Sequence, residues 1–361
     1  MRFGLLGFPK VGKTTLFNIL TGSRIAVDKY ASGKTEPRIG VASVAEARLD
    51  RLATMFKPRK TTYAQVDFLD VQGLQKGEAK DSLFLREMRN VDAIAHVVRA
   101  FDDPEISHSE GSIDPARDIE TMEMELILAD LEVAQRRLER LELNLKKAKA
   151  KEDEAELPVI RRCLAALENG TPIRELDLKE DDLRRIRGFA FLTAKPLLLI
   201  LNVDESAAGR IATIVEDLGL QNRAGRKRTA LCAISAEVEE EIARLDAADA
   251  QAFLLDLGIG EPAKERLIRA AFGLLDLIQF FTTGEDECRS WPIPSGTKAP
   301  RAAATIHTDF ERGFIRAEVV TFEDLMAAGS LQAARERAHL RSEGKEYVVR
   351  DGDVITFRFN V

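Results

Sequence analysis

Apolar and polar positions follow different periods in different parts of this chain. From residue 1 to about 110, strand-like and helix-like patterns alternate. Apolar strand patterns fall near residues 2–7, 39–43, 65–70 and 93–99, and helical spacing follows residue 13 and recurs around 47–55 and 83–89. Alternation of this kind predicts a mostly parallel sheet covered by helices. The period changes beyond Asp114. Residues 119–149 contain no Pro or Gly, and Ile119, Met122, Leu126, Ala129, Val133, Leu138, Leu141 and Leu145 mark one apolar helix face. Lys146, Lys147, Lys149 and Lys151 are followed by Glu152, Asp153, Glu154 and Glu156, which together read as a solvated tip, with an RNA or protein contact as the alternative. A second helix, about 157–168, returns antiparallel from it, and Asp177 and Leu178 are read as the cap of a further helix reaching Gly188.

The sheet pattern resumes with the wholly apolar run 196–202 and a strand at 229–235, with helices near 209–218, 239–257 and 264–277. From about Gln279 the texture changes again. Residues 280–283 and 287–293 read as a hairpin around Gly284, and a strand at 315–321 and the ending 347–359 complete an α+β module. Asp351-Gly352 is a tight-turn signal. The chain therefore reads as α/β, with a sheet domain over 1–114 and 192–277, a helical insert over 115–191 and a C-terminal module over 278–361.

Composition narrows the class. The 361 residues are 45% hydrophobic and 31% charged, with net charge −7. No apolar run approaches the ~20 residues that span a bilayer. The N-terminus is expected to be a core strand rather than a signal peptide. Cys163, Cys232 and Cys288 are widely spaced and read as free thiols in a reducing cytosol, so a cytoplasmic protein is expected; no membrane contact and a monomer are expected as well.

The chemistry is concentrated at the start. Gly7-Phe8-Pro9-Lys10-Val11-Gly12-Lys13-Thr14 satisfies G-x-x-x-x-G-K-[ST] between a strand and a helix. Main-chain N–H groups from Lys10 to Thr15 would cradle a polyphosphate, Lys13 would reach the β- and γ-phosphates, and Thr14 would ligate Mg²⁺. Asp70-Val71-Gln72-Gly73 ends a strand and fits D-x-x-G, with Asp70 toward the metal and the Gly73 N–H toward the γ-phosphate. Asn202-Val203-Asp204-Glu205 ends a later strand where such proteins read the base. GTPases carry Asn-Lys-x-Asp there; Val203 replaces Lys, and Glu205 displaces the carboxylate by one methylene, which spoils bidentate geometry to guanine. ATP is thus favoured over GTP. Ser235 and Ala236 occupy the place of the second base loop.

With these residues in view, the chain resembles the YchF family of Obg-like ATPases from end to end. The resemblance rests on Asn202–Glu205, on residues 92–99 and 306–317, and on the closing 351–354 and 359–361. It implies a Ras-like P-loop NTPase domain, an inserted antiparallel coiled coil and a C-terminal TGS domain of β-grasp type. It also implies slow ATP hydrolysis and association with the ribosome and its RNA. Leu74 stands where Ras-like enzymes keep a water-orienting glutamine, and the histidine proposed as its substitute in the family aligns with His108. Cys288 lies near where the family is described as redox-sensitive. Trp291 is read as buried, with RNA stacking as the alternative.

Three departures from the family pattern matter. Lys10 stands where the family has Asn, which in related NTPases helps hold K⁺ against the phosphates; its own ammonium is expected to make added K⁺ unnecessary. The switch I threonine that ligates Mg²⁺ falls on Lys34, leaving Thr35 one place late. The glycine-rich switch II is cut to residues 75–79. Binding is therefore more secure than hydrolysis, and a nucleotide-dependent adaptor without useful turnover, or a conventional GTPase, stand as alternatives; a metabolic kinase does not explain Asn202–Glu205.

Overall fold

A computed structural model describes residues 1–25, 37–71, 83–147, 150–211 and 213–360. The chain divides into two compact units, Met1–Ala42 with Val66–Leu274, and Ser43–Gln65 with Leu275–Val361. Its strands are β1 (Arg2–Leu6), β2 (Arg38–Ser43), β3 (Lys60–Thr62), β4 (Gln65–Asp70), β5 (Ala93–Ala100), β6 (Leu197–Val203), β7 (Thr229–Ile234), β8 (Leu277–Thr282), β9 (Glu287–Pro294), β10 (Phe314–Thr321), β11 (Arg341–Glu343) and β12 (Asp353–Phe359).

The first unit is built on a sheet ordered β2-β4-β1-β5-β6-β7. The pairs β1–β4, β1–β5, β5–β6 and β6–β7 are all parallel. Every residue of β6 is buried, and so is all of β5 except its last, as expected for central parallel strands covered on both faces. The chain builds outward from β1 in both directions, so a topological switch point lies at the carboxyl end of β1, where ligands bind in open α/β sheets. Helix α1 (Lys13–Thr21) starts there.

The helical insert is longer than its pattern suggested. It is made of two long helices, Pro115–Lys147 and Lys151–Glu168. The second was expected to begin only at residue 157, next to Pro158. It starts six residues earlier because Arg137 grips Glu156 at 2.7 and 2.9 Å and stands 3.7 Å from Asp153, which holds the extra turns. Ile127, Ala134, Leu141, Ile160, Cys163 and Leu167 form its apolar seam. Asp130 ties the insert to the returning chain by accepting from Leu192 N–H, Thr193 N–H and the Thr193 hydroxyl. The further helix runs over Glu180–Ile186, starting later than Asp177, and the pattern at 239–257 is broken into Ala236–Ile242 and Ala247–Asp256, the second capped by Asp246.

The domain expectation needs one correction. Residues 43–65, expected in the nucleotide domain, belong to the second unit. There Leu49 and Leu52 of the helix Ala47–Phe56 pack with Phe281, Cys288, Val320, Leu325 and Val354, and β3 pairs in parallel with β9. The apolar face of that helix is covered from a strand more than 200 residues away, which spacing alone cannot reveal. The second sheet is ordered β11-β10-β12-β8-β9-β3, with β12 parallel to β8 between antiparallel pairs, the β-grasp arrangement.

Candidate nucleotide site

The turn between β1 and α1 is shaped by residues with positive φ: Gly7 at 149°, Lys10 at 64° and Gly12 at 95°. A Cβ on Gly7 would come within 2.4 Å of the Val97 carbonyl oxygen, and one on Gly12 within 2.4 Å of Asn202 Nδ2. Both glycines are thus demanded by space as well as by φ. Phe8 and Val11 are buried beneath the turn, leaving Lys10 exposed at its middle. Lys13 is buried, and its Nζ donates to the carbonyls of Gly7 at 3.0 Å and Phe8 at 2.6 Å. Burial lowers its ammonium to about 8, against the opposing pull of Asp70.

Thr14 and Asp70 meet on one side of this cradle. The Thr14 hydroxyl donates to Asp70 Oδ2 at 3.4 Å, and β4 delivers Asp70 there from the strand next to β1. Burial raises the Asp70 carboxyl, with Lys13 and the Thr14 hydroxyl opposing the rise. Two hard oxygen donors beside a phosphate loop fit Mg²⁺, which takes one or two protein oxygens and the rest from water and phosphate. Thr15, the third residue of α1, is half-buried.

Asn202 joins the two halves of the site. Its Nδ2 donates to the Val11 carbonyl at 3.1 Å, while its Oδ1 accepts from Ala236 N–H at 3.0 Å. One buried amide therefore fixes the phosphate loop against the base loop. Ser235 caps the helix that follows, its Oγ accepting from Val238 N–H at 3.5 Å. Asp204 is occupied as a cap as well, accepting from Ala207 N–H at 3.0 Å and from the Ser206 hydroxyl at 2.5 Å. Glu205 is exposed. Val203, counted from the sequence among the nucleotide-binding residues, is 2% exposed as the last residue of β6.

The loop after β5 has its own organiser. Arg99, which sequence reading passed over, is buried and donates to the carbonyls of Phe101, Asp103 and Ile106, with its guanidinium 4.6 Å from the Phe101 ring centroid. The same loop carries His108, whose Nδ1 accepts from Glu110 N–H at 3.1 Å and whose Nε2 lies 2.9 Å from Asp118 Oδ2. His108 is thus turned onto the first turn of the insert, not exposed in a polar loop. His96, in the middle of β5, is kept neutral by burial, with Lys13 adding to the effect; its pKa falls to about 3. His96 and Arg99 stood in the run 93–99 without a role of their own in the sequence.

Four sequence expectations, on Lys34, Thr35, Gly73 and Leu74, lie outside the described residues, as does the shortened stretch 75–79. Cys288 is fully buried with its thiol raised by burial, the reverse of a reactive thiolate. Trp291 is partly buried: its Nε1 donates to the Thr282 hydroxyl at 3.0 Å, and Arg289 covers its ring at 4.0 Å.

A glycine-shaped loop at a switch point, a buried lysine inside it and an oxygen pair beside it define a P-loop NTPase. Comparison with known proteins agrees. A profile described as "50S ribosome-binding GTPase" matches residues 2–137, and the YchF-GTPase C-terminal profile, described as a protein of unknown function, matches residues 277–360. The chain is 41% identical to the ribosome-binding ATPase YchF of Bacillus subtilis and 42% identical to that of Escherichia coli O157:H7, each over 99% of both proteins. It is 37% identical to Obg-like ATPase 1 of Oryza sativa, over all of this chain and 92% of that one. The solved YchF GTPase of Schizosaccharomyces pombe superposes with a TM-score of 0.85 at 32% identity, covering 99% of this chain and 97% of the other. The chain belongs to the YchF family.

Proposed function

We propose that this protein binds and slowly hydrolyses ATP with Mg²⁺ and, like the relatives named for it, associates with the ribosome in the cytoplasm. The observation that carries the nucleotide preference is the state of the base loop. Asp204 is consumed as a helix cap, and Glu205 is exposed with a longer reach than the aspartate that reads guanine. Guanine therefore has no matched carboxylate, while the clamp through Asn202 keeps a base loop in place.

In this reading the Lys10–Thr15 main chain, Lys13 and Gly73 hold the phosphates. Asn202, Glu205, Ser235 and Ala236 form the base side, and Thr14, Asp70 and Thr35 stand toward Mg²⁺. The metal would neutralise charge on the β- and γ-phosphates when bound. Lys13 has to exchange two main-chain carbonyls for phosphate oxygens, a trade favoured by its positive charge. His108 is the candidate to orient the attacking water, and taking that role requires it to leave Asp118.

Calorimetric titration with ATP, ADP and GTP, with and without Mg²⁺, tests the preference; tighter GTP than ATP binding refutes it. Single-turnover hydrolysis compared with Lys13→Ala separates an ATPase from an adaptor: equal rates would leave only the adaptor. Co-sedimentation with purified 70S ribosomes, nucleotide by nucleotide, tests the partner.

A further inference from the structure

We infer that Lys10 is a second phosphate-contacting cation of the loop, beside the buried Lys13; this rests on the nucleotide reading of the same site. Lys10 has φ 64°, a left-handed conformation that is strained for a residue with a Cβ. Glycine or asparagine would fill that position with less strain. The side chain recovers nothing from packing, because it is exposed. Among the described residues its ammonium has no hydrogen-bond or ion-pair partner. An exposed, strained lysine with no ion-pair partner among the described residues stands at the middle of an anion cradle. Strain kept at such a place points to function.

The two loop lysines divide the work by burial. Lys13 is held inside the turn by the Gly7 and Phe8 carbonyls, while Lys10 rises from its solvent side three residues earlier. The oxygen pair of Thr14 and Asp70 would hold the metal. Hydrolysis forms a bond from the water oxygen to the γ-phosphorus and breaks the bond from that phosphorus to the β–γ bridging oxygen. The electron pair stays on the β-phosphate of ADP, and the proton of the water leaves with phosphate or solvent. The Lys10 ammonium stabilises the negative charge that gathers on the leaving oxygen. A fixed ammonium also makes a free monovalent cation redundant at that point.

The test uses the full-length protein and the variants Lys10→Asn, Lys10→Gly and Lys10→Arg. Asparagine and glycine accept the left-handed backbone, so loss of charge is separated from loss of fold. Expected for Lys10→Asn and Lys10→Gly is a drop of about tenfold in ATP affinity or single-turnover rate, with AMP binding unchanged and Lys10→Arg close to the parent. Turnover of the parent should be the same in K⁺ and Na⁺, and K⁺ should restore part of the rate of Lys10→Asn. Unchanged ATP binding and turnover in both neutral variants, or strong K⁺ stimulation of the parent, overturns the inference while nucleotide binding by the parent stands. If the parent binds no ATP at all, the nucleotide reading falls with it.

Discussion

At the residue scale, the lysine inside the loop makes opposite demands on stability and binding. The folded protein holds the Lys13 ammonium at about 8, below its ordinary 10.5. Between those values the unfolded chain carries more protons than the folded one, so this group's contribution to stability rises with pH. Phosphate affinity moves the other way, because the neutral amine loses its attraction. ATP affinity should therefore fall between pH 7.5 and 9, and the stability advantage expected for Lys13→Met over the parent should narrow toward pH 10.5. Titration and thermal melts across that range check both signs. His108 gives a second prediction at this scale. If it orients water after leaving Asp118, His108→Ala lowers turnover at least tenfold with ATP affinity unchanged. A variant that only lowers the melting point makes the His108–Asp118 contact structural.

At the element scale, single side chains hold together segments that are distant in the chain. Asn202 joins the turn after β1 to the helix after β7. Asn202→Ala leaves the buried Val11 carbonyl and Ala236 N–H without partners, at about 1–3 kcal/mol each. It should weaken ATP binding by more than tenfold by freeing the two loops from each other. In the second unit Arg48 does comparable work: it grips Glu46 at 2.9 and 2.8 Å and Asp351 at 2.6 Å, and Asp351 accepts from Gln279 N–H at 2.8 Å. Glu46 and Asp351 raise the Arg48 guanidinium above its ordinary range. Arg48→Ala should destabilise that unit by about 2 kcal/mol, read as an earlier unfolding transition, since charged hydrogen bonds in a half-buried place are lost. The segment it secures lies between β2 and β4 in the chain.

At the scale of the whole molecule, all three thiols are withdrawn. Cys163, Cys232 and Cys288 are buried, and burial raises each of them, Cys163 to about 11. Ellman titration of the native protein should therefore show no fast thiol and recover three after denaturation. A fast native reaction would contradict the packing at whichever cysteine reacts.

Local chemistry made much of this protein legible. The phosphate loop, the strand ends carrying Asp70 and Asn202, the long insert helix and the closing α+β module all announce themselves by spacing, because periodicity and glycine geometry act over a few residues. Lys10 could be picked out as a departure from the family, but only the folded backbone showed that it stands in a strained conformation. Contacts between distant segments were not legible. The sequence could not say that residues 43–65 complete the other unit, that Asn202 clamps two loops, that Arg137 extends a helix past Pro158, or that His108 turns onto Asp118. Those are decided by which surfaces meet once the chain is folded, and pairings separated by tens to hundreds of residues leave no period to read.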